Sequence, residues 1–335
     1  MRGYDNYRGR GSSTKKIAVI VMVIILLLAG VYLFLSEFTE YDSSGGAHIV
    51  LPWQRETAEE PHTDDRGESE NISIIYDDTE EPLPEVQAVE FSVSEARQGD
   101  AAIRAKLGGG NAAALYLKRP DGCLRYHSAA AGPELCFTDG LTEAELKRFT
   151  GDELYTIARL SCVKDDTAPM QDMAALALTQ ENGYVWYGSE SEHYLDLSKD
   201  EAREYLISIV EELAGLGFDE VLLSDLAWPT GGTQANISTT GDRTATVTAF
   251  LKELGNAVED SDLVVSLELP EATVLAGGNA AEGFSLAEQL PLVQRVYVKT
   301  ERADAVQEAM NAVRRGVSLV IIDGTGTNRY IPMSN

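Results

Sequence analysis

The protein has 335 residues, of which 44% are hydrophobic, and its formal net charge is −27. This length allows one large domain with appended segments or two ordinary domains, and the apolar fraction excludes wholesale disorder. The acidic balance excludes nucleic acid as a partner, because a phosphate backbone requires a basic surface.

The first 36 residues have the pattern of a membrane anchor. Residues 1–16 contain five Lys and Arg side chains against one acid, Asp5, and we predict a cytoplasmic basic tail. Residues 17–36, IAVIVMVIILLLAGVYLFLS, carry no charge and are long enough to cross the roughly 30 Å apolar core of a bilayer. We interpret this segment as an uncleaved transmembrane signal anchor. Tyr32 and Phe34 lie where a cleaved signal peptide, the alternative, needs small residues.

This arrangement predicts a single-pass protein of the cell membrane whose C-terminal bulk is extracytoplasmic. That part has more than twice as many acidic as basic side chains, which favours neutral or cationic ligands over anionic polymers. Residues 37–84 are rich in Asp, Glu, Pro and Ser, and we predict an acidic linker interrupted by one apolar stretch, AHIVLPW.

Between residues 85 and 335, short apolar runs alternate with segments of helical periodicity. The predicted strands are 88–93, 112–119, 154–163, 220–228, 262–270, 294–300 and 317–324. Residues 199–217, KDEAREYLISIVEELAGLG, form a strong helical pattern with a closing glycine. Seven such alternations over about 250 residues predict an α/β fold, a (β/α)8 TIM-type barrel.

The eighth strand is the weak point of this prediction. Only eleven residues follow residue 324, so either one strand is hidden or the barrel is incomplete. An open doubly wound sheet is the alternative, since it also alternates strands and helices. No Gly-rich dinucleotide-binding turn follows the first strand, which favours the barrel.

Carboxylates lie near the carboxyl ends of three of the predicted strands: Asp225 on the fourth, Glu268 on the fifth and Asp323 on the last. Barrel active sites lie at the carboxyl ends of the strands. Glycoside hydrolysis needs one carboxylic acid to protonate the leaving oxygen, and a second carboxylate that attacks the sugar or activates water. We therefore predict these three as catalytic residues. The plainer interpretation is that such acids cap helices or pair with a nearby Lys or Arg.

Polar and aromatic residues near the same ends are candidates for substrate binding. Aromatic rings offer faces on which sugars stack, whereas the basic residues also fit simple neutralisation of the acidic cluster. The predicted substrate-binding residues are Arg159, Lys164, Asp165, Trp186, Tyr187 and Trp228.

No metal or cofactor is predicted. The four histidines are scattered without ligand spacing, and no Gly-x-Ser-x-Gly nucleophile turn is present. Cys123 and Cys136 flank a loop-like stretch and are compatible with a disulfide, and three unpaired thiols including Cys162 are an equal alternative.

Two stretches, YTIARLSCVKDDTAP (155–169) and NGYVWYGSESEHYLDLSKDEAREYLISIVEELAGLGFDEVLLSDLAWPT (182–230), resemble a known family. It is the bacterial "putative glycoside hydrolase domain" family, formerly a domain of unknown function, which has a TIM-barrel fold. Residues 154–230 carry the resemblance well, and 85–153 and 231–322 carry it more loosely. The resemblance implies an enzyme of carbohydrates, with Arg159, Lys164, Asp165 and Asp225 on the family's polar strand-end positions.

By analogy with alpha-amylase-like barrels, the resemblance further implies a nucleophile at Asp225, an acid/base at Glu268 and a stabilising carboxylate at Asp323. The chain departs from the family at the sixth strand, where VYVKT replaces a Met-x-Tyr-Pro-like segment. An aromatic-rich seventh strand and a Trp near the end are also missing. If a strand has been deleted, residues 317–324 are the eighth strand and Asp323 loses this role.

The sequence therefore predicts a membrane-anchored, extracytoplasmic glycosidase that uses two carboxylates. The alternative from another class is a shortened, inactive barrel that serves as a cell-surface module binding glycan or protein. A purely structural role in the cell envelope is a third hypothesis.

Overall fold

Eight parallel strands close into a barrel in the computed structural model, which describes residues 39–41, 47–49, 83–151, 153–232, 236–238 and 241–333. The strands are β1 (Gln87–Phe91), β2 (Ala112–Lys118), β3 (Tyr155–Ser161), β4 (Glu220–Ser224), β5 (Val264–Glu268), β6 (Arg295–Val298), β7 (Ser318–Ile322) and β8 (Arg329–Ile331). Each pairs in parallel with the next, and β8 pairs with β1. The predicted barrel is confirmed, and it is complete.

The eighth strand lies within the eleven residues that follow the last predicted strand. Tyr330 stands opposite Ile322 on one side and Ala88 on the other, and its side chain is buried. Residues 317–324 therefore contain β7, so the interpretation of that segment as an eighth strand after a deletion is wrong. The three-residue β8 follows the polar stretch GTGTN, and it is too short to show an alternating pattern.

Helices follow most of the strands. They are α1 (Val93–Arg97), α2 (Asp100–Leu107), α3 (Glu143–Thr150), α4 (Ala168–Gln171), α5 (Met173–Leu176), α6 (Asp200–Gly215), α7 (Arg243–Ala257), α8 (Glu271–Leu275), α9 (Leu286–Gln289) and α10 (Ala303–Val313). Capping boxes start two of them: Ser92 with Glu95 for α1, and Thr142 with Glu145 for α3. The long helix α6 confirms the pattern predicted over 199–217, since Leu206, Ile209, Val210 and Leu213 form its buried stripe.

Short strands extend the structure beyond the barrel. Leu124–Tyr126 pairs antiparallel with the end of β2, and it also pairs with Cys136–Leu141. A second small pair joins Gly278–Asn279 to Phe284–Ser285.

The core has two layers because strand side chains alternate between the faces of the sheet. Outward-facing residues such as Leu115, Leu117 and Leu223 belong to the large cluster that includes the helices. Inward-facing residues form a smaller cluster inside the barrel: Val86, Ala88, Ala112, Ala114, Ile157, Leu222, Tyr297, Val320, Ile322 and Tyr330.

An ion pair closes the amino-terminal end of the barrel. Glu220 begins β4 and Arg295 begins β6, and the two side chains are fully buried and paired with each other. Tyr297 donates a hydrogen bond of 2.6 Å to Oε1 of Glu220, and Arg295 donates one of 3.2 Å to the hydroxyl of Tyr155. The ion pair lies out of contact with water, so the barrel is closed at this end.

The chain divides into two units, residues 1–76 and 77–335. In the first unit, Thr39–Tyr41 pairs antiparallel with Ala47–Ile49, within the segment predicted as linker. The predicted tail (1–16) and anchor (17–36) lie outside the described residues, as does most of the linker. In the part of the chain that the structure describes, no helix has the length and apolar character needed to cross a bilayer.

Candidate active site

One guanidinium group joins two carboxylates at the carboxyl end of the barrel. Arg159 points inward from β3 and is 15% exposed. Its Nη2 donates a hydrogen bond of 2.7 Å to Oε2 of Glu268, the last residue of β5. Its Nη1 lies 3.4 Å from Oε2 of Glu90, on β1. The arginine on β3 therefore connects β1 on one side of the barrel with β5 on the other.

Tyr116 links Asp225 to the same cluster. The guanidinium carbon of Arg159 lies 4.3 Å from the centre of the Tyr116 ring, and the Tyr116 hydroxyl donates a hydrogen bond of 3.3 Å to Oδ2 of Asp225. Asp225 directly follows β4, next to the strand that carries Glu268. The structure thus brings Asp225 and Glu268 together around Arg159 and Tyr116.

Several effects act on the Glu268 carboxyl, which is 29% exposed. Burial raises its pKa above the ordinary glutamate value, the positive charge of Arg159 acts in the opposite direction, and the negative charges of Asp225 and Glu90 raise it further. The outcome is a raised pKa. Glu268 therefore holds its proton to a higher pH than a solvated glutamate does.

The backbone holds Asp225 in an unusual conformation. Its φ is 49°, in the left-handed region that non-glycine residues rarely adopt. Its carbonyl oxygen accepts a hydrogen bond of 3.0 Å from the amide of Val163, so the neighbouring chain fixes this position, while the side chain is exposed. Such residues cluster at functional sites, where the surrounding structure maintains the strain.

Asp323 lies at the same end of the barrel but has another partner. It follows β7, and its Oδ2 lies 2.7 Å from Nζ of Lys299, which follows β6. Both side chains are exposed. Among the described residues, the Asp323 side chain makes no hydrogen bond or ion pair with Arg159, Glu268 or Asp225.

Asp165 anchors a loop. Its side chain is fully buried, and Oδ2 lies 2.7 Å from Nζ of Lys118, which is fully buried as well. Its Oδ1 accepts hydrogen bonds from the amides of Thr167 (2.9 Å) and Ala168 (2.8 Å), at the start of α4. The carboxylate is therefore engaged with the protein on both oxygens. Lys164, half-buried, forms an isolated bridge with Tyr194.

The three predicted aromatic residues differ in burial. Trp186 is 2% exposed and packs against Tyr194 with ring centres 5.6 Å apart. Trp228 is 3% exposed, and the guanidinium carbon of Arg243 lies 5.4 Å from its ring centre. Neither indole offers a free face to a sugar. Tyr187 is 57% exposed and does.

Three residues of the cluster were missed in the sequence. Glu90 and Tyr116 face inward from β1 and β2, and the Tyr330 hydroxyl donates a hydrogen bond to Oε2 of Glu90. The signal was present for two of them. In QAVEF and AAALYLK, the alternation places Glu90 and Tyr116 on the barrel-facing side of otherwise apolar strands.

The described residues contain no group of three or more His, Cys, Asp or Glu side chains that could hold a metal ion. Cys123, Cys136 and Cys162 are free thiols, so the unpaired alternative applies in the structure.

A family model described as "Putative glycosyl hydrolase domain" matches residues 100–276, more than half of the chain. The protein belongs to this family. The matched segment includes Tyr116, Arg159, Asp225 and Glu268, and it ends just after α8.

Solved structures resemble the chain over most of the barrel. The glycoside hydrolase domain of PgaB (BpsB) from Bordetella bronchiseptica is 15% identical, with a TM-score of 0.49 over 75% of this chain and 94% of that one. An exo-β-N-acetylglucosaminidase from Vibrio harveyi, in complex with N-acetylglucosamine, is 13% identical, with a TM-score of 0.49 over 72% and 42%. A hypothetical protein from Ruminiclostridium thermocellum is 21% identical, with a TM-score of 0.45 over 53% and 96%. No curated protein matches the chain.

Two glycines provide a matched test of the Asp165 anchor. Gly122 and Gly183 have φ of +82° and +83°, but a Cβ at Gly122 would overlap Oδ1 of Asp165, whereas a Cβ at Gly183 meets nothing within 4 Å. We expect Gly183→Ala to lower the free energy of unfolding by about 1–2 kcal/mol, the cost of a left-handed alanine. Gly122→Ala displaces the carboxylate from its buried pair and should cost roughly 3 kcal/mol more. Urea unfolding measures both, and equal losses would contradict the anchoring role.

Proposed function

We propose that the protein hydrolyses glycosidic bonds, with Glu268 as the general acid and Asp225 as the second carboxylate. The observation that supports this most directly is the convergence of the two side chains on Arg159 and Tyr116. The raised pKa of Glu268 suits a group that must hold a proton until the leaving oxygen takes it. The exposed Asp225 is free on one side to attack the sugar or to activate water.

Arg159 and Tyr116 have supporting roles in this proposal. When Glu268 gives up its proton it becomes an anion, and the guanidinium already in contact stabilises that anion. The Tyr116 hydroxyl donates a hydrogen bond to Oδ2 of Asp225 and so orients the carboxylate. Tyr187 lies on the loop after β3, at the carboxyl face of the barrel, and its exposed ring offers a stacking face to a sugar.

Removing either carboxylate should abolish hydrolysis without unfolding the barrel. We expect Asp225→Asn and Glu268→Gln each to lower kcat by at least about a hundredfold, the usual contribution of a positioned proton-transfer group, while the thermal midpoint changes little. Asp262→Asn is the matched control, because Asp262 is an exposed acid on the loop before β5, at the opposite end of the barrel. Release of reducing ends from a panel of glycans measures the activity.

The same assays separate glycoside hydrolysis from glycan binding without hydrolysis. Full activity in both variants would overturn the proposal. A wild-type protein that binds glycans in calorimetry but releases no reducing ends would instead support the inactive, glycan-binding module.

The pH profile tests the role of Glu268. Because a general acid must be protonated, kcat/KM should fall as the pH rises through the raised pKa of Glu268. The charge of Arg159 lowers that pKa, so Arg159→Gln should move the alkaline limb to higher pH. Arg315→Gln removes an exposed arginine from the loop before β7 and should leave the limb in place. A limb that stays still or moves to lower pH in Arg159→Gln contradicts the assignment.

We also propose that residues 17–36 anchor the enzyme in the cell membrane with the barrel on the extracytoplasmic side. The support is the length and apolarity of this segment and the basic residues before it. The full chain should sediment with membranes and be released by detergent but not by high salt, whereas a chain that begins at residue 37 should stay in the supernatant. Sedimentation of the shortened chain would show that the segment is not the anchor.

A further inference from the structure

A groove of about 300 Å³ lies beside the proposed active site, between the ends of β1 and β2. Tyr116 and Arg119 line it from β2 and the residues after it, and Arg125 and Phe137 line it from the short strands that follow. Tyr116 therefore belongs to both the groove and the Arg159 cluster. The volume lies at the lower end of the range of small-molecule sites, about 300–1,000 Å³.

Two guanidinium groups lie near the Tyr116 ring. Arg159 lies 4.3 Å from the ring centre, and Arg119 lies 5.8 Å from it. Arg159 is paired with Glu90 and Glu268, as described above. Among the described residues, no carboxylate oxygen lies within 4 Å of the Arg119 guanidinium. In a chain with twice as many acids as bases, this half-buried cation has no carboxylate partner in the part of the chain that the structure describes.

Among the described residues, the groove has one guanidinium group without a carboxylate partner, although the chain is strongly acidic. Its lining carries Arg119, Arg125, whose Nη2 is paired with Oδ2 of Asp121, and the carboxylate of Asp139. That carboxylate is already bound by Arg97, whose Nη1 lies 2.8 Å from it. Salt screens charges beyond roughly 8–10 Å, so a ligand in the groove senses these near groups more than the distant excess of acids. The preference for neutral or cationic ligands that the net charge indicates does not extend to this groove.

We propose that the groove is a subsite for a sugar unit that carries a carboxylate, and that the substrate is an acidic, uronate-containing glycan. This inference rests on the proposed glycosidase function and specifies its substrate class. The planar guanidinium of Arg119 presents parallel N–H groups that match a carboxylate bidentately. Phe137 is 42% exposed, and the guanidinium carbon of Arg125 lies 4.7 Å from its ring centre. The part of the ring that Arg125 leaves uncovered supplies an apolar surface for the C–H face of the same sugar.

Binding to a catalytically inert protein tests the subsite without turnover. The full chain carrying Glu268→Gln is titrated by calorimetry with tetragalacturonate and tetraglucuronate, and with the carboxyl-reduced, neutral form of each. We expect an acidic tetrasaccharide to bind about tenfold more tightly than its neutral form, the usual gain from one charge-assisted pair. Adding Arg119→Gln should remove that difference and leave the binding of the neutral form unchanged.

Two further variants serve as controls. Arg119→Lys keeps the charge without the planar fork and should lose only part of the preference. Arg315→Gln removes an equal charge at the opposite end of the barrel and should lose none. Thermal midpoints check that each variant is folded.

Equal binding of acidic and neutral forms, equal loss of both in Arg119→Gln, or no binding of either would overturn the subsite. The binding titrations do not depend on whether the wild-type protein hydrolyses glycans. Hydrolysis of neutral glycans without preference for acidic ones leaves the glycosidase proposal standing and rejects the subsite. Binding of an acidic tetrasaccharide through Arg119, with no hydrolysis by the wild-type protein, retains the subsite and rejects the reaction.

Discussion

The contact of Arg159 with Glu90 and Glu268 is the interaction on which the mouth of the barrel depends. Glu90 is only 3% exposed, and an ionised carboxylate in that position requires a cation and hydrogen bonds. Arg159 and Tyr330 provide them. The same guanidinium offsets the repulsion among Glu90, Glu268 and Asp225, which lie close enough to affect one another. One arginine therefore allows three acids to share a small space, two of which we assign to catalysis.

The barrel interior is arranged in layers along its axis. At the amino-terminal end, Glu220 and Arg295 form a dry, fully buried pair. A middle layer of small and aliphatic side chains, including Ala88, Ala114 and Leu222, separates it from the Arg159 cluster. Both ends use carboxylates and guanidinium groups, but only the cluster at the carboxyl end is partly exposed, with Glu268 at 29%. The same chemical pairing is fully buried at one end of the barrel and partly exposed at the other.

Local patterns in the sequence predicted much of this structure, and long-range packing accounts for the rest. Apolar runs located seven strands, and the expectation that barrel sites lie at strand ends placed Asp225 and Glu268 at the same end of the barrel. The strand β8 was missed because its place depends on register with β1, far away in the chain. Trp186 and Trp228 were interpreted as sugar-stacking residues, yet their burial depends on neighbours such as Tyr194 and Arg243 that spacing alone does not reveal. The predictions of position were strongest where the place of a residue follows from the pattern of one strand.

The strand β8 lies far from β1 in the sequence, and this separation affects how the barrel forms during synthesis. Tyr330 bonds to Glu90, 240 positions earlier, so the ring cannot close until residues up to 331 have left the ribosome. Until then β1 and β7 present free edges whose amide and carbonyl groups invite pairing with other chains. The nascent, unclosed sheet is the vulnerable species, and it is the form that a chaperone would need to shield.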